Sequence, residues 1–528
     1  MSGVTGFDGN EDLESASQQS NFNLAISFTS MRHSANTICL RTMMVRLALA
    51  LFLAASQTVF PQAPSTNRPW AYLLLNESYL LDDCPVCARV PIKVPMRGTF
   101  NLRALEQNTL FSRYALEDIK FTAGDRPYRV TGSGTFEIGG EVALILKMFL
   151  QVEIDDGITN KVCYFTNAPA VVDRPWPMIN MTLDQTNGTF AQVFTLRLAA
   201  APVREIWFST VNFFKAITGP AASNIVEGGD LISTSGNVVK RNADLFTSVG
   251  AYPPAPDLGL DAVEMLPGGE IAFSLGSDIT SNTLGPLQHG DLLSTKGRIL
   301  RRNQELLASF GIQPLVPDVG LDAVRVLDTN EVFFSISTNI FSERLNAVLH
   351  RGDLLSSTGS VWRSNQQLLS RFHPTNAVKD FGLDAFHLWP GGEIWFSTED
   401  GFQDQVLGPI SGGDLLSDQG YIVFLNSDLL SAFTPTNAPS EIGLDALYVI
   451  TDDIPPAPAP RLDVAANPAT GSVGLAWQGQ GRVFQVERAD DLNGLFRSLS
   501  PILPDLSFED AGTLTNRIQS SFYRLHQW

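Results

Sequence analysis

Cysteine and histidine are the scarcest reactive residues of this 528-residue chain, with only four and six copies. Zinc sites, thiol catalysis and His-based proton transfer all depend on these residue types. The sequence also lacks a Gly-x-Ser-x-Gly nucleophile elbow and a His-Glu-x-x-His metal-binding motif. These absences argue against the common catalytic classes and favour a protein that is not an enzyme.

Positive charge is also in short supply. The chain carries 36 Lys and Arg against 55 Asp and Glu, which gives a formal net charge of −19. Proteins that bind nucleic acid neutralise phosphates with clustered Lys and Arg, so nucleic acid is excluded as a partner. Charged residues make up 17% and apolar residues 44% of the chain. This composition predicts a folded chain with several cores and, by its length, roughly three or four domains.

Long apolar runs are absent except for one near the start of the chain, at residues 47–55. This run is too short for a transmembrane helix, which needs about 20 residues. It follows Arg46 and ends near the small residues Ala54 and Ser56, a pattern that predicts a signal peptide over residues 44–63. We therefore expect a protein without a transmembrane span that is secreted or lies at the cell surface or in the periplasm.

The polar segment ahead of the signal, residues 1–43, is acidic and shows no sustained period. Signal peptides are not built with an acidic extension before the apolar region. We interpret this segment either as a disordered leader or as an artefact of a start assigned too early, with translation beginning at Met43 or Met44.

Three cysteines remain after removal of the signal: Cys84, Cys87 and Cys163. The spacing of Cys84 and Cys87 is that of a redox dithiol or half a zinc site, but no second pair or nearby His completes four zinc ligands. In an oxidising compartment a structural disulfide is the favoured interpretation, with Cys163 as a partner for Cys84 or Cys87. An odd count leaves one thiol free or intermolecular.

The strongest positive signal is an internal repeat. Gly-Leu-Asp-Ala begins at Gly259, Gly320, Gly382 and Gly443, at spacings of 61, 62 and 61 residues, and Gly-Asp-Leu recurs in step with it. Each unit predicts four short strands separated by Gly-rich turns. Repeated four-stranded antiparallel units are typical of β-propeller blades, so we predict a four-bladed propeller-like domain over residues 201–452.

The phase of the repeat predicts how this domain closes. The array begins within a unit at Glu205 and ends with an unaccompanied first strand at residues 443–450. Pairing of that last strand with the first one would close the ring and leave no open sheet edge. An elongated stack of units is the alternative, but it leaves the phase offset unexplained.

Each repeat unit also carries a pair of carboxylates, which could either bind Ca²⁺ or stabilise turns. Calcium is bound by six to eight oxygen ligands, so clustered carboxylates indicate a possible Ca²⁺ site. The same residues also fix turns by accepting backbone N–H bonds, and their presence in every unit favours this structural role. No other cofactor is predicted. The candidate residues are Asp257, Asp261, Asp318, Asp322, Asp380, Asp384, Glu441 and Asp445.

The flanking regions are predicted to be all-β as well. Residues 64–200 contain long alternating stretches, which predict an antiparallel meander folded as a sandwich or a barrel. A Pro-rich linker spans residues 453–460. Residues 461–528 predict a small all-β module, so the expected fold class of the whole chain is all-β.

Two resemblances accompany these patterns. The Gly-Leu-Ala-Trp and Phe-Gln-Val-Glu-Arg segments of the last module resemble strands of fibronectin type III domains, with Trp477 at the core Trp position and Tyr523 at a late aromatic position. The central repeats resemble those of large secreted bacterial multidomain proteins. The first resemblance implies a spacer or interaction module, and the second carries no assigned activity.

These observations favour a secreted, noncatalytic binding protein with an extracellular protein or glycan as its ligand. The loops at residues 212–225 and 400–405 break the repeat, as recognition loops often do. One alternative is a propeller-type hydrolase of polysaccharides that uses Glu399, Asp400 and Asp404. The other is a purely structural component of the cell envelope.

The interpretation of the leader makes a direct prediction. We expect amino-terminal sequencing of the secreted protein to begin after the signal peptide, because the signal peptidase removes everything before its cleavage site. A peptide from residues 1–42 in the secreted product would contradict this interpretation.

Overall fold

A computed structural model describes residues 69–528, with gaps at 76, 88, 108–109, 125–127, 141–144, 169, 172–175, 190, 252–256, 313–317, 328–330, 390–391, 453–457, 493–495 and 512–520. The leader, the signal peptide and most of the Pro-rich linker lie outside the described residues. The described part of the chain is all-β, which confirms the expected fold class. No helix in this part is long and apolar enough to cross a membrane.

The amino-terminal region is a sheet that closes on itself. Strands β1 and β2 both pair with β3 on one side and with β10 on the other, and β4 to β7 and β9 complete the circuit. This is the barrel alternative of the predicted meander. The strands are β1 (Trp70–Leu74), β2 (Tyr79–Asp83), β3 (Ile92–Gln107), β4 (Phe111–Ala123), β5 (Tyr128–Gly139), β6 (Ile145–Asp155), β7 (Asn160–Thr166), β8 (Ala170–Val171), β9 (Ile179–Gln185) and β10 (Val193–Phe208).

Apolar side chains, which alternate strictly with polar ones along the strands, fill the interior of the closed sheet. In β6, for example, Leu146, Met148 and Leu150 are buried, whereas Lys147 and Phe149 point outward. Successive side chains of a strand point to opposite faces, so this pattern turns one face of every strand into the core. Trp176, which precedes β9, packs against this core beside Trp70.

The cysteine pairing differs from the expectation that involved Cys163. Cys84 and Cys87 form a disulfide with each other, with their Cα atoms 5.2 Å apart. Cys163 lies on β7 with its side chain inside the closed sheet, where it is buried and free. The prediction of a bridge to Cys163 is therefore wrong, because strand alternation directs that thiol into the core and away from the exposed loop of Cys87.

The repeats form four four-stranded antiparallel sheets. Their orders are β33-β10-β13-β14, β15-β16-β19-β20, β21-β22-β25-β26 and β27-β28-β31-β32, and each unit adds a two-stranded hairpin that the sequence did not predict. The strands are β11 (Phe214–Lys215), β12 (Ile225–Val226), β13 (Leu231–Ser233), β14 (Val238–Lys240), β15 (Val263–Leu266), β16 (Glu270–Phe273), β17 (Ile279–Ser281), β18 (Gly285–Leu287), β19 (Leu292–Ser294), β20 (Arg298–Arg301), β21 (Val324–Val326), β22 (Val332–Phe334), β23 (Ile340–Ser342), β24 (Ala347–Leu349), β25 (Leu354–Ser356), β26 (Ser360–Arg363), β27 (Ala385–Leu388), β28 (Ile394–Ser397), β29 (Phe402–Asp404), β30 (Gly408–Ile410), β31 (Leu415–Ser417), β32 (Tyr421–Phe424) and β33 (Leu447–Thr451).

Short helices follow the outer strand of each sheet. Four of them begin at the Asn that recurs in each repeat, and a fifth precedes the last Gly-Leu-Asp-Ala motif. The helices are α1 (Asn242–Ser248), α2 (Asn303–Leu307), α3 (Asn365–Leu368), α4 (Asn426–Leu429) and α5 (Pro439–Ile442), with a 3₁₀ turn at Ala308–Phe310.

The predicted closure of the array is confirmed. Strand β33, which is the unaccompanied last copy, pairs antiparallel with the second half of β10, with Trp207 opposite Tyr448 and Phe208 opposite Leu447. The first strands of the four sheets, β33, β15, β21 and β27, contact one another in a circle. We call this assembly the four-sheet ring and these four strands the inner strands.

The ends of the ring follow from strand direction. Each inner strand begins directly after its Gly-Leu-Asp-Ala motif, and the next strand returns antiparallel to it. The hairpins β11–β12, β17–β18, β23–β24 and β29–β30 come after these returning strands, so they lie at the end where the repeated aspartates stand. The turns that follow the inner strands lie at the opposite end.

The carboxyl-terminal module consists of two three-stranded sheets around a separate core. Trp477 lies in that core beside Phe484, and Tyr523 packs partly against it. The orders are β34-β35-β38 and β37-β36-β39. The strands are β34 (Arg461–Asn467), β35 (Ser472–Gln478), β36 (Phe484–Ala489), β37 (Arg497–Ser498), β38 (Ser507–Asp510) and β39 (Phe522–Gln527).

Ring closure through β33 predicts a large stability effect at a buried residue of that strand. Ile450 is fully buried in the apolar cluster that joins the first and second sheets. We expect Ile450→Ala to lower the free energy of unfolding by about 2–5 kcal/mol, because it leaves a cavity where the ring closes. Chemical denaturation followed by circular dichroism measures this change.

Val378 provides a matched control, since it is 84% exposed and lies between two inner strands in sequence. Val378→Ala is expected to change the free energy of unfolding by less than about 0.5 kcal/mol. Equal effects of the two substitutions would show that β33 does not hold the ring together.

Candidate functional site

The eight predicted carboxylates divide into two sets with different surroundings. The members that precede the Gly-Leu-Asp-Ala motifs accept backbone N–H bonds in turns. Asp257 Oδ1 accepts from the Gly229 and Gly259 amides at 3.0 and 3.1 Å. Asp380 accepts in the same way from Gly352 and Gly382. These residues have the structural role that their repetition favoured.

Asp318 and Glu441 complete the first set. Asp318 Oδ1 accepts a hydrogen bond from the Gly320 amide at 2.8 Å, as its counterparts do. Glu441 is exposed in α5, and its backbone carbonyl accepts a hydrogen bond from the side chain of Asn212. The glycine of the fourth motif, Gly443, has the same left-handed conformation as its counterparts, so the fourth unit keeps this turn with Glu441 in the place of the aspartate.

The aspartates of the Gly-Asp-Leu motifs also maintain the framework. Asp230 and Asp291 each accept a hydrogen bond from the amide of the Asn that begins the following helix, at 2.9 and 3.2 Å. The Asn242 side chain in turn donates to the Gly229 and Gly259 carbonyls. This network fixes the outer strands against the next inner strand and leaves these carboxylates no room for a ligand.

The second set converges at the centre of the ring. Asp261, Asp322, Asp384 and Asp445 each stand directly before an inner strand, and we call them the axial aspartates. Burial raises the pKa of Asp261 and of Asp322 to about 7, and repulsion from Asp257 and from Asp261, respectively, adds to this effect. Burial followed by repulsion from the other axial aspartates raises the pKa of Asp384 and of Asp445 well above the ordinary value. Four carboxyl groups that share a poorly solvated site cannot all ionise readily.

Glu399 and Asp400 extend this acidic region in one sheet only. Arg351 forms ion pairs with both, and its guanidinium lies 2.7 Å from Asp400. Burial, followed by repulsion from Asp322, raises the pKa of Glu399 to about 7. The pKa of Asp400 is lowered because its ion pairs with Lys379 and Arg351 outweigh its burial. Together with the axial aspartates, Glu399 and Asp400 form what we call the acidic mouth.

Asp404, the third acid of the predicted hydrolytic cluster, is not part of the mouth. Its carboxylate is buried and accepts backbone hydrogen bonds from His373, Val406 and Leu407 at 2.5–2.8 Å. These bonds lower its pKa despite partial burial. Asp404 therefore fixes the β29–β30 hairpin, and the prediction that it joins Glu399 and Asp400 in one cluster is wrong.

A histidine lies on the opposite side of the mouth. His289 Nδ1 is 2.8 Å from Asp278 Oδ1, and its Nε2 is 3.6 Å from Asp318 Oδ1. Burial opposes protonation of His289, but the hydrogen bond to Asp278 and the neighbouring carboxylates raise its pKa. The rim of the mouth therefore carries the guanidinium of Arg351 and, at a separate point, an imidazole whose protonation is favoured by the carboxylates around His289.

Both loops that break the repeat lie at this end of the ring. Residues 212–225 include β11 and lead into β12, and residues 400–405 include β29. The hairpins and the residues beside them expose apolar side chains: Phe213, directly before β11, is 62% exposed, Phe341 on β23 52%, and Val406 in the turn between β29 and β30 67%. The acidic mouth is thus surrounded by exposed apolar residues that differ from sheet to sheet.

The geometry does not support the calcium alternative. Among the described residues, no group of three or more His, Cys, Asp and Glu side chains has an arrangement that could hold a metal ion. In the first set, Asp257, Asp318 and Asp380 accept hydrogen bonds from backbone amides. The axial aspartates stand before four different inner strands.

A second level of polar residues lies deeper in the ring and was not predicted. Three positions after each axial aspartate stand Glu264, Arg325, His387 and Tyr448. Arg325 forms an ion pair with Glu264 at 3.0 Å, and the pKa of His387 is lowered well below its ordinary value by burial and by the nearby arginines. The sequence did contain a signal for them, since this register carries four different polar residues whereas the neighbouring positions are apolar.

Comparison with known proteins adds no family. No family model matches the chain, and no curated protein matches it significantly.

The raised pKa of Asp322 predicts a specific dependence of stability on pH. Its folded value of about 7 exceeds the ordinary 3.8, so between these values the folded protein holds a proton that the unfolded chain has released. This contribution to stability is present in full below about pH 4 and is lost as the pH rises through about 7.

We therefore expect Asp322→Asn to raise the thermal midpoint at pH 8, with a gain of about 1 kcal/mol or more, and to change it little at pH 4. Differential scanning calorimetry at both pH values measures this. Asp184→Asn, which alters an exposed carboxylate of the amino-terminal sheet, is the control and should show no such difference. Equal behaviour of the two variants would contradict the buried state of the axial carboxyl groups.

Proposed function

We propose that this chain is a secreted, noncatalytic binding protein whose ligand is an extracellular protein or glycan. In this proposal the four-sheet ring is a four-bladed β-propeller, and the carboxyl-terminal module is a fibronectin type III-like domain. The ligand binds at the acidic mouth and the hairpins around it.

The observation that carries the proposal is the asymmetry of this end of the ring. The aspartates that cap turns recur from unit to unit, whereas the hairpins and the residues beside them carry Phe213, Phe341 and Val406 at exposed sites. Exposed apolar side chains around a charged centre are typical of interaction surfaces. Symmetric residues maintain the framework, and the asymmetric rim supplies specificity.

The charge of the mouth indicates which surfaces it would attract. Asp400 is ionised at neutral pH because its pKa is lowered, and the chain as a whole carries a net charge of −19. Such a surface attracts partners that present basic groups and repels acidic ones. A protein with exposed Lys and Arg fits this field, and a neutral glycan fits through hydroxyl donors to the carboxylates and stacking on Phe213.

A hydrolase of polysaccharides is the second candidate, and one observation favours it. Glu399 and Asp400 are adjacent, and their pKa values are shifted in opposite directions, to about 7 for Glu399 and below the ordinary value for Asp400. A pair of carboxyl groups divided in this way is the usual basis of general acid and base roles. Arg351, however, forms ion pairs with both groups.

A binding screen with parallel detection of turnover tests the proposal. The purified full-length protein is incubated with a panel of glycans and extracellular proteins, and both bound ligand and released reducing ends are measured. We expect binding without turnover, and a loss of about tenfold or more in affinity for Phe213→Ala and Asp400→Ala, because Asp400 belongs to the acidic mouth and Phe213 to the surface around it. Asp184→Asn should bind like the unaltered protein.

The other outcomes each support a different function. Release of reducing ends that disappears in both Glu399→Gln and Asp400→Ala would contradict the binding proposal and establish the hydrolase. Absence of binding to every member of the panel would contradict both and favour a structural component of the envelope.

A further inference from the structure

The end of the ring opposite the acidic mouth is covered by the carboxyl-terminal module. The turn after β15 makes the closest approach, where the Gly268 amide donates to the Gly481 carbonyl at 2.9 Å. At Gly269 a Cβ atom would lie 1.9 Å from the carbonyl oxygen of Pro504, so a side chain at this position would clash with the module. Lys240 and Asp505 add an ion pair of 2.6 Å across the same interface.

One side chain of the module reaches into the ring at this point. Arg482 follows the Gly481 that accepts the hydrogen bond from Gly268, and its side chain is only 16% exposed. Its Nη1 donates to Glu264 Oε1 at 2.9 Å and to the backbone carbonyl of Met265 at 2.6 Å. The guanidinium therefore has two acceptors on one inner strand.

The receiving carboxylate belongs to the deeper polar level of the ring. Glu264 is 1% exposed, and Arg325 on the next inner strand donates to both of its oxygens at 3.0 and 3.1 Å. His387 and Tyr448 stand at the same register of the other two inner strands, and both lie within the field of Arg325 and Arg482. Four inner strands thus contribute to one buried, charged pocket.

The charges of this pocket show that the second guanidinium, that of Arg482, depends on its hydrogen-bond acceptors. Arg325 alone neutralises Glu264, and burial together with the two arginines keeps His387 uncharged near neutral pH. Arg482 therefore adds an unbalanced positive charge, which the shared carboxylate and the Met265 carbonyl must stabilise. Arginine suits a buried ion pair of this kind because its guanidinium is more weakly hydrated than a Lys ammonium.

We propose that Glu264, the Met265 carbonyl and the surrounding inner strands form a guanidinium-binding site, and that Arg482 fills this site as an intramolecular ligand. The contact holds the carboxyl-terminal module on the ring and closes the end opposite the acidic mouth. A small guanidinium compound is the chemical class that takes the place of Arg482 when that side chain is removed.

Chemical rescue of a full-length variant tests this proposal. Arg482→Ala leaves Glu264 and the Met265 carbonyl without the module's guanidinium, so we expect it to bind ethylguanidinium saturably in isothermal titration calorimetry and to gain thermal stability from it. The unaltered protein should show neither effect, because its site is filled. The double variant Arg482→Ala, Glu264→Gln should lose the binding, since the acceptor charge is gone.

Arg488→Ala is the matched control. Arg488 lies in the same module, is similarly buried and pairs with Asp510 within the module at 2.7 Å. This variant should bind no ethylguanidinium. Equal binding by Arg488→Ala and Arg482→Ala, retained binding in the double variant, or no binding by a folded Arg482→Ala would each overturn the proposal.

Hydrogen exchange at the Gly268 amide provides a second measurement that does not depend on rescue. This amide donates to Gly481, so its protection reports docking of the module. We expect its exchange to be roughly tenfold or more faster in Arg482→Ala than in Arg488→Ala, because charged hydrogen bonds to the ring are lost. Should Arg482→Ala fail to fold, Arg482→Lys takes its place, with faster exchange expected and unchanged exchange overturning the proposal.

Discussion

The hydrogen bonding of a single strand connects the two large parts of this protein. Strand β10 spans 16 residues, Val193–Phe208. Its first part pairs with β2, β9 and β1 and closes the amino-terminal sheet, and its last part pairs with β33 and β13 in the first sheet of the ring. Neither sheet can lose this strand without exposing an unpaired edge. The orientation of the ring relative to the closed sheet therefore follows from the course of one backbone.

Burial of charge organises the ring along its axis. At one end, burial raises the pKa of all four axial aspartates, and repulsion from the other axial aspartates adds to this for Asp322, Asp384 and Asp445. Deeper in the ring, burial raises the pKa of Glu264, and ion pairs with Arg325 and Arg482 counter this effect. The axial aspartates thus favour the protonated form, whereas Glu264 is paired with arginines. These are the two general ways in which proteins accommodate buried ionisable groups.

The polar residues of the ring also differ in whether they recur in every repeat unit. Aspartates that cap turns, such as Asp257 and Asp230, occur in unit after unit because every sheet needs the same turns. Side chains that differ between units, such as Glu264 or Glu399, have no such framework role in all four sheets. Loss of symmetry within a symmetric scaffold therefore marks the positions at which this molecule is specialised.

The periodic pattern of the sequence was sufficient to predict the all-β fold class, the four repeated sheets and the pairing that closes the array. These features depend on local strand alternation and on the phase of the repeat, both of which are written along the chain. Closure of the amino-terminal meander could not be predicted in the same way, because β1 and β2 are short and their partners β3 and β10 are far apart in sequence.

Tertiary structure alone decided which side chains meet. The sequence allowed Cys163 to form a disulfide, but strand alternation directs its side chain into the core. Asp404 resembles Glu399 and Asp400 in sequence, but its carboxylate accepts hydrogen bonds from backbone amides. Arg482 and Glu264 are more than two hundred residues apart and belong to different parts of the fold. Contacts of this kind form when separate parts of the fold pack against each other, and the pattern of residues along the chain does not predict such packing. The scarcity of cysteine and histidine limited the chemistry open to this chain, and the fold determined where its abundant carboxylates act.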